Sequence, residues 1–101
     1  MNELTNERKE ELRNLVYTFF ADECDVDVSK LTESTDILTE LEGDSLMFIE
    51  FLESMKKKYK LNIELQSVGK YLLKHPAETI GKAVDLCCLL YQHENNIVNL
   101  I

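Results

Sequence analysis

The sequence predicts an all-α domain: a four-helix bundle with a long loop between helices 1 and 2 and a short third helix. Three observations carry this. Apolar residues recur at three- and four-residue spacings, strand-type alternation is almost absent, and only three glycines and one proline punctuate 101 residues. A chain that is 45% hydrophobic and 30% charged at this length has the balance of one globular domain. It is too small to enclose a deep multi-residue active site, which favours a carrier, binding or regulatory module.

Leu12, Leu15, Val16, Phe19 and Phe20 form one stripe on a first helix from about Thr5 to Asp22. Residues 24–43 mix Asp, Ser and Thr with Val28, Leu31, Ile37, Leu38 and Leu41, so they are expected to form an ordered loop pinned by buried aliphatic side chains. Asp44 is placed to cap a second helix, on which Phe48, Phe51, Leu52, Met55 and Tyr59 make the next stripe. LNIELQ reads as a loop, because a single strand would have no partner. A third helix, roughly Gln66 to Lys74, stops before Pro76, since proline restricts the residue preceding it. Thr79 caps a last helix from Ile80 to about Gln92, whose AVDLCCLLY run is apolar nearly all round and needs cover on more than one side. The tail, with Ile97, Val98, Leu100 and Ile101, supplies that cover, or the surface self-associates. The division expected is a domain over 1–93 and an apolar C-terminal extension over 94–101.

The net charge of −8 repels phosphate backbones, so no nucleic-acid partner is expected. The apolar runs fall short of a membrane span and the N-terminus lacks the apolar core of a signal peptide, which points to a cytoplasmic protein that does not span a membrane. Cys87 and Cys88 are adjacent and Cys24 is left over, a pattern suited to a reducing compartment. Asp25, Asp27 and Ser29 have the opening spacing of a calcium loop, but Lys30 takes its glycine position and Asp36 its bidentate glutamate, so no metal is expected.

The chemistry concentrates at Gly43-Asp44-Ser45-Leu46, which puts a hydroxyl in the first turn of a helix beside an acidic cap. A phosphoryl group on Ser45 would sit where unpaired amides and the helix dipole favour an anion. The plain alternative is a loop that ends in an N-cap. The same four letters mark a family of serine esterases, yet those need a histidine base in an Asp-x-x-His arrangement, and His75 and His93 here follow Leu72 and Leu90. No catalytic residues are therefore expected.

The order Leu31-Thr32, Thr35-Asp36, loop leucines, Gly43-Asp44-Ser45-Leu46, then Glu50, Tyr59 and Ile63 resembles the acyl carrier protein family over roughly residues 5–92. The resemblance implies a bundle of acyl-carrier type. It implies that Ser45, flanked by Asp44 and Leu46, receives phosphopantetheine from coenzyme A through a separate phosphopantetheinyl transferase. The arm's thiol would hold acyl groups as thioesters for acyl-transferring, condensing or ligase enzymes, in fatty acid synthesis or a specialised acyl, polyketide or lipid pathway, and the carrier itself would be a monomer. Leu46, Ile49, Glu50 and Glu53 lie off the core stripe and are the expected docking residues, with extra core contacts against the loop as the other reading of Leu46 and Ile49. Seven acids and no lysine or arginine from Glu33 to Glu53 suit fast charge-guided docking, or simply a solvated face. Two departures favour a specialised carrier: Met47 stands where the family usually has an acid, and Lys56, Lys57, Lys58 and Lys60 crowd an often acidic region. Those lysines also suit a helix C-terminus. The alternative function is an unmodified, carrier-like helical adaptor.

Overall fold

The computed structural model describes residues 3–41 and 45–100, with the backbone alone for residues 45 and 100. It has four helices, α1 (Asn6–Glu23), α2 (Ser45–Tyr59), α3 (Leu65–Lys74) and α4 (Ile80–His93), and no strand among the described residues. Short 3₁₀ segments cover Val28–Lys30 and Glu94–Leu100.

Thr5 caps α1 from outside, its side chain accepting the Arg8 N–H at 3.1 Å. Leu12, Val16 and Phe20 are fully buried, while Leu15 and Phe19 pack half-buried against the same core. At the helix's far end Asp25 turns left-handed (φ 54°) and the Val26 N–H reaches back to the Ala21 carbonyl at 3.0 Å.

Over the described residues 24–41 the loop after α1 follows a defined path, but its aliphatic side chains divide. Leu31 and Ile37 are buried and Leu41 is half-buried, whereas Val28 (48%) and Leu38 (59%) are exposed, contrary to the expectation that all five pin the loop. Backbone pairing adds to the hold of the three that are covered. Glu33 and Thr35 carbonyls accept the Gly81 and Ile80 N–H groups at 2.8 and 3.0 Å, and the Ile37 N–H donates to the Glu78 carbonyl at 2.9 Å. Thr35, itself buried, accepts the Thr32 N–H on its hydroxyl at 2.8 Å. The loop thereby lies across the start of α4, whose cap Thr79 accepts from the Lys82 N–H.

Phe51, Leu52 and Met55 bury the inner face of α2, and Phe51 meets Phe19 edge-on with ring centroids 5.1 Å apart. Lys60 ends α2 in the left-handed region (φ 53°), with the Leu61 N–H returning to the Lys56 carbonyl at 3.1 Å. The short helix α3 begins at Leu65, one residue before the expected start, and its Glu64 cap makes no side-chain capping bond. The tail supplies the partner: Asn95 Oδ1 accepts the Glu64 N–H at 2.7 Å, the Asn95 N–H donates to the Asn62 carbonyl at 3.1 Å, and the Glu94 carboxylate accepts the Asn62 N–H. Ile97 then drops, fully buried, into the core between this segment and α4.

Three helices meet at one aromatic junction. Tyr59 of α2 donates its hydroxyl to Glu11 of α1 and packs edge-on against Tyr91 of α4, ring centroids 5.4 Å apart. The Arg8 guanidinium lies 4.9 Å from one ring centre and 5.2 Å from the other. Burial first, and the Glu11 bond second, push the Tyr59 hydroxyl up to about 12.

Candidate functional site

The second helix opens at Ser45, so the backbone of that residue occupies a first-turn position where amides lack intrahelical partners. Gly43 and Asp44, including the expected Asp44 cap, lie outside the described residues, as does the Ser45 side chain. The next residue, Leu46, is 62% exposed, and Ile49 is 38% exposed. Glu50 and Glu53 are exposed as well, and the four positions recur at i, i+3, i+4 and i+7 along one outer stripe.

The acid run has two uses. Glu33 pairs with Arg13, and Asp36 accepts the Leu38 and Thr39 N–H groups at 2.9 Å each. These bonds, that from Thr39 foremost, hold the Asp36 carboxyl below its usual range. Glu40 in turn accepts the Asp36 N–H. These three acids shape the loop, while Glu50 and Glu53 stand outward on α2. Met47 is turned against the fold: it packs on the core, and its sulfur accepts from the Cys24 thiol at 3.8 Å. An acid at that position would face the end of α1.

Beside this stripe lies a cavity of about 410 Å³. Phe48, Ile49 and Leu52 of α2 form one wall and Leu65, Val68, Gly69 and Leu72 of α3 the other. Ile37 and Leu38 of the loop close one end, and Pro76, Ala77 and Glu78 the other side. Phe48 and Ile49 follow Ser45 by three and four residues, so the helix register puts the start of α2 over the cavity wall. The apolar stripe of α2 shows its inner face without revealing a void, because periodicity reports which side is apolar rather than how completely it is filled. The available signal was Gly69, a poor helix former in the middle of a ten-residue helix.

Cys87 and Cys88 are buried in α4, and the Cys87 thiol donates to the Met55 sulfur at 3.2 Å. Among the described residues no group of three or more His, Cys, Asp or Glu side chains could hold a metal ion, and no helix is long and apolar enough to cross a membrane.

A family model for a phosphopantetheine attachment site matches residues 14–71. An acyl carrier protein homolog of Clostridium acetobutylicum is 55% identical over 100 residues, 99% of this chain and 97% of that protein. The polyketide-8 synthase acyl carrier protein 2 of Streptomyces avermitilis is 38% identical over 63 residues, 59% of this chain and 68% of that protein. An acyl carrier protein of Lactobacillus acidophilus is 28% identical over 76 residues, 75% of this chain and 88% of that protein. No solved structure matches the chain significantly. A phosphopantetheine-attachment model spanning more than half the sequence, a full-length relative at 55% identity and an all-helical fold with α2 opening on a serine together place the chain in the acyl carrier protein family, whose members carry rather than catalyse.

Proposed function

We propose that this protein holds acyl intermediates as thioesters on a phosphopantetheine arm attached to Ser45, serving fatty acid synthesis or a specialised acyl, polyketide or lipid pathway. The observation that carries the reading is the apolar cavity whose wall begins one helical turn from Ser45. The residues present fit such a group: first-turn amides of a fifteen-residue helix favour a phosphoryl oxygen, and the cavity is a shelter for what the arm carries. Bound at Ser45, the arm supplies the thiol that forms the thioester.

The chain's own residues provide position and recognition. Asp44 and Leu46 flank the attachment point for a phosphopantetheinyl transferase. Leu46 and Ile49 are the apolar anchors for acyl-transferring, condensing or ligase enzymes, and Glu50 and Glu53 attract basic surfaces on them. Residues 1–93 are the carrier unit, working as a monomer in the cytoplasm, and 94–101 an apolar extension of it.

Intact-mass analysis after incubation with coenzyme A and a broad-specificity transferase tests the proposal. One phosphopantetheinyl adduct is expected on the wild type and none on Ser45→Ala, which should remain helical by circular dichroism. A wild type that competent transferases never modify, or an adduct that survives Ser45→Ala, defeats the attachment and leaves an unmodified helical adaptor.

A further inference from the structure

We infer that residues 94–100 are an exchangeable tail, and that two copies of this chain at high concentration swap it, each completing the entrance to α3 of the other. The inference goes beyond the carrier reading and does not depend on it.

The receiving surface is the extended segment between α2 and α3. Leu61 and Ile63 are buried while Asn62 and Glu64 face out, the alternation of a strand, yet no strand lies beside it among the described residues. The tail takes up its outward backbone groups instead. The Glu94 carboxylate accepts the Asn62 N–H, Asn95 Oδ1 accepts the Glu64 N–H at 2.7 Å, and the Asn95 N–H returns to the Asn62 carbonyl at 3.1 Å. Two residues farther on, Ile97 is fully buried in the core. None of these contacts depends on the tail belonging to the same chain, because a second copy offers identical groups in identical order.

The hinge supplies the reason to exchange. No loop separates α4 from the tail: the Glu94 N–H still donates to the Leu90 carbonyl, as in a helix, and at Glu94 itself the chain turns back with φ 50° and ψ −130°. That combination crowds Cβ against the backbone and is ordinarily left to glycine. One residue thus bears the whole reversal, and a short hinge under strain invites swapping. Once the tail lifts, Glu94 can relax towards helical angles and α4 can run on into it, which carries the tail away from its own core.

In the swapped pair both tails are seated again, so the docking contacts match those of two closed monomers and cancel. What differs is the strain released at two hinges, set against the cost of bringing two copies together. A net charge of −8 on each copy adds to that cost. The closed monomer therefore prevails in dilute solution, where its own tail is present at an effective concentration on the order of millimolar.

The test uses the full-length protein in high salt, which screens the charge, and in reductant, so that disulfide-linked pairs do not count. After incubation at about 1 mM a few degrees below Tm, size-exclusion chromatography with light scattering is expected to show a dimer. That dimer should persist on dilution in the cold and revert on warming, because exchange requires both tails to lift. When labelled and unlabelled copies are mixed, isotope-filtered NMR of the dimer should place Asn95 of one copy against Glu64 of the other. Glu94→Gly, which removes strain from the closed form alone, should cut the dimer fraction several-fold. Glu94→Ala loses the carboxylate from both forms and keeps the strain, so its dimer fraction should stay near the wild-type value. No dimer at about 1 mM, Asn95–Glu64 contacts that stay within one chain, a Glu94→Gly fraction equal to wild type, or a Glu94→Ala fraction as low as that of Glu94→Gly overturns the inference.

Discussion

Gly81 and Lys60 show what single positions cost when backbone and side chain disagree. At Gly81 the N–H donates to the Glu33 carbonyl at 2.8 Å, and a Cβ would stand 2.9 Å from that same oxygen. The obstacle is backbone, which cannot rotate aside, so Gly81→Ala should lower stability by about 1–3 kcal/mol in urea unfolding. Lys60 has the opposite mismatch, a side chain held in left-handed backbone. Lys60→Gly relieves that strain but gains unfolded-state entropy, leaving an expected net stabilisation of about 0.5 kcal/mol. The sequence shows four lysines near a helix end and their favourable dipole; it contains no sign of which one occupies the turn. Tyr59 adds a pH dependence. Its folded pKa of about 12 exceeds the usual value of 10, so its contribution is fully present below pH 10 and declines as pH rises through 12. Alkaline melting curves should therefore fall less steeply in Tyr59→Phe than in wild type.

Between helices, the tail is the element whose role was least legible in advance. Its four large aliphatics signal cover for α4, but its bonds to Asn62 and Glu64 join residues 32 and 31 positions apart and leave no local pattern to read. The stripes of α1 and α2 were legible because each helix satisfies its own backbone and repeats its buried face every turn. Val28 and Leu38 were misread because loop residues have no such period, and backbone pairing to α4 can hold a loop while its leucine faces a cavity rim. The serine proposed for attachment stands out from chemistry and spacing together, while the cavity near the start of α2 does not, since a void has no residues of its own. Ile97→Ala should cost about 2–5 kcal/mol, because the side chain is fully buried and neighbouring helices cannot collapse freely into the space. Truncation after His93 should lower Tm further by also removing Asn95 from the entrance to α3, measurable by thermal denaturation.

At the scale of the whole molecule the charge is polarised: residues 1–55 hold four basic against fifteen acidic side chains, net −11, and residues 56–101 seven against four, net +3. Such a field orients an approaching basic partner before contact. Charge reversal is unnecessary to test it; Glu50→Gln with Glu53→Gln should slow acyl transfer with a cognate enzyme several-fold at low salt, with the difference shrinking as ionic strength screens it. The disposition of sulfur has a separate consequence. Cys87 and Cys88 are buried, Cys24 is half-buried against Met47, and burial pushes all three thiols above their ordinary pKa. Little thiolate is available on the polypeptide at neutral pH, and little of it can be approached. A thioester on the proposed arm would find no ready thiolate acceptor among these cysteines, so the packing that keeps α4 in place would also guard it from intramolecular thiol exchange. The arm would then stand out in a disulfide-reagent titration as a fast thiol over a slower Cys24, with Cys87 and Cys88 reacting only as the bundle opens.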